Sequence, residues 1–113
     1  MKEDKLYLLH IAECLGRIEQ FVSEGKEVFA RDVKTQDAVI RNLQVLAESS
    51  QRLSETLKTA HSEVNWRGLA GFLNILVHDY LGINLQRVWE IIEDDLPTLK
   101  RQMTALLQAC GDS

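Results

Sequence analysis

Apolar residues recur at three- and four-residue steps along most of the chain, the period of a helix that buries one face. From about Asp4 to Ser23, Leu8, Ile11, Leu15, Ile18 and Val22 form one stripe, which Gly25 ends. A second helix is predicted from Asp32 or Val33 to near Thr59, with Val39, Leu43, Leu46, Leu53 and Leu57 inward and Ser49–Ser50 relaxing its middle. The polar stretch from His61 to Trp66 breaks the pattern. Asn65, with a short side-chain acceptor, then suits the N-cap of a third helix from Trp66 to about Tyr80. Gly82 ends that helix, and Asn84 caps a fourth with Leu85, Val88, Trp89 and Ile92 inward. Pro97 sits where a first turn tolerates proline, ahead of a fifth helix carrying Leu99, Met103, Leu106 and Leu107. Five amphipathic helices with short connections predict an all-α antiparallel bundle, a single domain over residues 1–113.

Composition agrees with this picture and narrows the function. Of the chain, 45% is apolar and 27% charged, and a single proline and six glycines leave helix propensity favourable nearly everywhere. The net charge of −4 and pI near 5.3 argue against sequence-independent nucleic-acid binding by bulk electrostatics, which rests on clustered Lys and Arg. Any RNA contact must be local. Two cysteines, Cys14 and Cys110, lie near opposite ends, with no CxxC pair. The N-terminal MKEDKLYLLH lacks an apolar signal-like core, and no apolar run approaches the roughly 20 residues that span a bilayer. A reducing, cytoplasmic setting is expected. No HxxxH, HExxH or Cys/His cluster occurs, so neither a metal nor another cofactor is expected.

The stretch GFLNILVHDY, Gly71 to Tyr80, carries the candidate chemistry. It puts Asn74 and His78 one helical turn apart inside an apolar run, with Tyr80 two residues further on. A lone histidine in such a run is most often a core residue, but three polar groups at this spacing ask for another explanation. The segment resembles the signature of the HEPN superfamily, in particular the HepT-like ribonuclease toxins, usually written RNxxxHxY. Asn74, His78 and Tyr80 match it, whereas the motif arginine is replaced by Leu73. The resemblance covers nearly the whole chain. QDAVIRNLQVLAES is similar to the family's R-N-x4-G-E-A region, with small residues Ala47 and Ser49 as departures, and INLQRVWEII is similar to the segment after the motif.

The resemblance implies a helical-bundle homodimer, with the motifs of two copies meeting at one cleft, and a metal-independent RNA endonuclease. His78 would be the proton-transfer residue, a role suited to an unperturbed pKa of about 6.5. Asn74 would orient it or contact the scissile phosphate. The motif arginine would stabilise charge building on that phosphate through a planar, permanently charged fork. Leu73 has neither charge nor donor. Loss of one such contact commonly costs about 3–4 kcal/mol, roughly a hundred- to thousandfold in rate, so impaired or absent catalysis is expected. The resemblance further implies a partner, an MNT-type nucleotidyltransferase antitoxin that neutralises the toxin by transferring AMP to Tyr80. An alternative from another class is a non-catalytic dimerisation or partner-binding module that retains the fold. Cations that could supplement a cleft include Arg41, Arg67 and Arg87, while Glu93-Asp94-Asp95 reads as a solvated helix end.

Overall fold

The computed structural model describes residues 2–77 and 84–111, with side chains at 3–72 and 84–110. The first apolar stripe forms α1 (Lys2–Phe21), burying Leu8, Ile11, Cys14, Leu15 and Ile18. Gly25 then turns the chain at φ 97°, a left-handed conformation that a side chain would strain. A short helix unforeseen from the pattern follows, α2 (Lys26–Arg31). One turn and a half is too short for periodicity to register, yet it buries Phe29, whose ring lies 5.4 Å from that of Trp89.

α3 (Val33–Gln51) starts where expected, because the Asp32 carboxylate accepts the Lys34 N–H at 3.2 Å and the Thr35 hydroxyl at 2.7 Å. It does not run on to Thr59. The chain leaves the helix over 52–54 and restarts as α4 (Glu55–Ala60). The break has a tertiary cause. The N–H of Ser54 donates at 2.9 Å to Asp4 on α1, and its hydroxyl at 2.6 Å to the other oxygen of the same carboxylate. The Ser54 hydroxyl oxygen also accepts the Leu57 N–H at 3.1 Å, capping α4. Ser49 and Ser50, expected mid-helix, are instead buried in the last turn of α3, where the Ser50 hydroxyl donates back to the Ala47 carbonyl at 2.7 Å.

α5 (Trp66–Val77) begins at the expected residue. The expected end of that helix near Tyr80 and its stop at Gly82 lie outside the described residues. α6 (Leu85–Glu90) is capped by Asn84, whose side chain accepts the Arg87 N–H at 3.1 Å. The break expected before Pro97 is absent. α6 passes through a π-helical turn (Ile91–Asp95) straight into α7 (Leu96–Gly111), so the fourth and fifth predicted helices are one. Proline inside an α-helix would press its ring on the carbonyl four residues back. Widening the preceding turn, with the Leu96 N–H reaching five residues to the Ile91 carbonyl, accommodates Pro97 without ending the helix.

α3 is the centre of the assembly, packed against both α1 and α5, and α1 packs in turn on α7. The Asp4–Ser54 contact joins the start of α1 to the end of α3, and the 2.6 Å ion pair of Glu19 with Lys100 joins the end of α1 to the first half of α7. α1 is therefore antiparallel to both. The protein is all-α, and one core connects all the long helices through Ile11, Leu43, Leu46, Leu69, Ile91 and Met103. Among the described residues no helix is long and apolar enough to cross a membrane.

Candidate functional site

The helix that carries the motif is fixed most firmly at its start. The Asn65 side-chain oxygen accepts the Gly68 N–H at 2.9 Å, the N-cap bond expected from the sequence. A Cβ at residue 68 would stand 2.5 Å from the Asn65 side-chain nitrogen, so a side chain there would make the capping amide shift. Trp66 anchors the same turn by donating its indole N–H to the His61 carbonyl at 3.0 Å. Leu69 and Phe72 are buried, and α5 lies against α3. The rotational setting of α5 is thus decided before the motif begins.

Leu73 and Asn74 lie in the second half of this helix, and their register follows from its backbone. Leu73 follows buried Leu69 by one helical turn. Asn74 is seven residues after Arg67 and three after Gly71, on the face that those two share. His78 and Tyr80 lie outside the described residues.

A cleft of about 520 Å³ opens beside α5. Leu69, Phe72 and Leu99 give it an apolar lining, Gly68 and Gly71 expose α5 backbone between them, and Arg87, Glu63, Asp94 and Asp95 supply charge. Of the three cations considered from the sequence, Arg87 is the one among the lining residues of this cleft. It is paired with Glu90 at 3.4 Å. Arg41 is not among the described lining residues, and its field acts on Cys14, on the α1 side of α3. Arg67 is exposed near the start of α5. Burial pushes the Cys14 thiol up from its ordinary pKa, helped by Glu13 and opposed by Arg17 and Arg41, which makes it an unreactive core group.

The acidic run expected as a helix end is instead the π turn in mid-helix. Glu93 accepts the Trp89 indole N–H at 2.6 Å, while Asp94 and Asp95 line the cleft. Among the described residues no group of three or more His, Cys, Asp or Glu is arranged to hold a metal ion. His61 is 3.4 Å from Glu63, and His10 meets the Tyr7 ring edge-on.

With the helix order and the motif position in hand, comparison with known proteins is decisive. The sequence profile described as Ribonuclease HepT-like matches residues 11–106. The chain belongs to the HepT-like ribonuclease family. It is 37% identical to a probable ribonuclease HepT of Thermococcus cleftensis, over 93% of this chain and 96% of that protein. A putative RNase of Caldanaerobacter subterraneus is 34% identical, over 96% of this chain and 97% of its own length. The mRNA nuclease HepT of Shewanella oneidensis is 30% identical, over 76% of this chain and 82% of that protein. No solved structure matches the chain. Family membership makes this HepT-like chain a ribonuclease by resemblance.

Two features of the structure, the cleft and a distant clamp, escaped the sequence. The cleft joins residues from α5, the π turn and α7, which are remote along the chain, so no local pattern announces it. The Asp4–Ser54 clamp spans fifty residues, and the only local sign of it was the serine that caps α4.

Proposed function

We propose that this chain is the toxin of a type VII-like HEPN/MNT toxin–antitoxin pair, an RNA endonuclease fold that works as a cytoplasmic homodimer and is disarmed by Leu73. The observation that carries this reading is the family match over residues 11–106 combined with leucine where the RNxxxHxY motif has arginine. In the proposed reaction His78 transfers the proton and Asn74 orients it or holds the scissile phosphate. Neither needs a metal. The missing element is the cation that meets charge developing on the phosphate, and a leucine side chain supplies none. The antitoxin is an MNT nucleotidyltransferase, and transfer of AMP to Tyr80 would place a phosphate beside His78 and repel RNA from the cleft.

The experiment is a charge restoration. Leu73→Arg is compared with the parent for growth arrest on induction and for cleavage of cellular RNA by the purified protein. The expected result is cleavage at least about a hundredfold faster in the Leu73→Arg variant, the usual worth of one preorganised charge-stabilising donor. His78→Ala added to that variant is expected to abolish the gain. Equal cleavage by the parent and Leu73→Arg refutes the role given to position 73, and cleavage surviving His78→Ala removes His78 from the mechanism.

A further inference from the structure

Arg67, Gly71 and Asn74 occupy positions i, i+4 and i+7 of α5, so the helix backbone carries them on one face, away from buried Leu69 and Phe72. The first two of these have a feature that neither the fold nor the motif requires. Arg67 is exposed and, among the described residues, forms no ion pair; Arg31, Arg41, Arg52 and Arg101 share this, but Arg67 is the one on the helix that carries Asn74. A Cβ built on Gly71 would meet nothing within 4 Å, as at Gly16 of α1 and unlike at Gly68, so packing and capping do not explain a glycine here. In mid-helix, glycine is a poor choice unless something passes close to the backbone.

Seven residues of α-helix span about 10.5 Å, and a helical side chain leans toward the N-terminus. Arg67 therefore cannot supply the charge missing at Leu73. It is set one or two nucleotides away from a phosphate held near Asn74. On the other flank of Gly71, Asp94 and Asp95 line the cleft and repel a polyanion, which favours the Arg67 side.

We propose that the Arg67–Gly71 face of α5 is the track for the RNA backbone: Arg67 binds a phosphate neighbouring the scissile one, and the strand crosses the bare helix at Gly71. This rests on the RNA-cleaving reading above. It assigns binding to a part of the helix separate from the residues that act on the bond, and it gives a net acidic chain the local cation that RNA contact demands.

The test uses a short single-stranded RNA with the full chain. Binding to the slow-cleaving parent is followed by fluorescence anisotropy against salt, and cleavage by the Leu73→Arg variant is resolved into kcat and KM. Arg67→Ala is expected to weaken binding about tenfold and to make the log K against log salt plot shallower by about 0.7, the share of one single-strand phosphate contact. The loss should appear in KM, and Arg67→Lys should recover most of it. Gly71→Ala is expected to raise the melting temperature, because its methyl group meets no atom and alanine favours helix, yet to weaken RNA binding several-fold. A stabilised protein with poorer binding separates a track from a packing role. Unchanged affinity in either Arg67→Ala or Gly71→Ala, with Leu73→Arg cleaving, overturns the track alone. Absence of both RNA binding by the parent and cleavage by Leu73→Arg overturns the RNA reading and the track with it.

Discussion

Replacing Asp4 by alanine should reveal how much of the bundle depends on one buried carboxylate. Asp4 is 4% exposed and accepts both the N–H and the hydroxyl of Ser54, at 2.9 and 2.6 Å. Hydrogen bonds to a charged acceptor contribute about 1.5–3 kcal/mol each, and a donor stripped of its partner costs a further part of its desolvation unless water reaches it. Ser54 is only half-buried, so water can take over some of what is lost. Two such bonds, discounted for that access, give an expected destabilisation of about 2–4 kcal/mol for Asp4→Ala. The carboxylate also lies in the first turn of α1, where negative charge complements the helix dipole by about 0.3–1 kcal/mol, within the same range. A domain of 113 residues is stabilised by roughly 6–17 kcal/mol in total, so the loss is large in proportion. It corresponds to a fall in melting temperature of about 8–15 °C.

Urea unfolding followed by circular dichroism measures this directly. Ser54→Ala provides the control, because it removes the hydroxyl bond and the α4 cap but leaves the backbone N–H on Asp4. A double-mutant cycle should therefore return a coupling of about 1–2 kcal/mol between the two side chains, with the backbone bond seen only in the Asp4→Ala arm. A change below about 0.5 kcal/mol for Asp4→Ala, the level of an ordinary surface substitution, refutes the view that this clamp joins α1 to the end of α3.

Two other expectations concern single groups. Cys14 should resist a water-soluble disulfide reagent in the folded chain and react once the chain unfolds. Since burial favours its neutral thiol, the folded state binds that proton more tightly, so its effect on stability is absent below the ordinary thiol pKa and becomes a loss as pH rises above it; rapid native modification of Cys14 refutes this. Incubation with an MNT nucleotidyltransferase partner and ATP should add the mass of AMP to the peptide containing Tyr80, and an unmodified Tyr80 peptide excludes that mode of neutralisation for this protein.

The amphipathic stripes were legible because burial against a partner face leaves a periodic record in the residues of one helix. Leu8, Ile11, Leu15 and Ile18 needed no neighbour to be recognised, and nor did the caps Asn65 and Asn84, whose acceptors act within three residues. The motif was equally local: Asn74, His78 and Tyr80 name the family by spacing alone, and Leu73 names its departure. What the sequence by itself determined was therefore the all-α class, the positions of α1 and the starts of α3, α5 and α6, and the identity of the motif residues. Where helices stop and join was another matter. Propensity favoured one helix through 52–54 and a break before Pro97, and long-range contacts or backbone geometry reversed both, Asp4 by taking the Ser54 N–H and the π turn by giving the proline ring room. The cleft, the exposure of Arg67 and the open space at Gly71 depend on which helices lie side by side. Such properties belong to pairs of distant segments, and only the tertiary structure decides them.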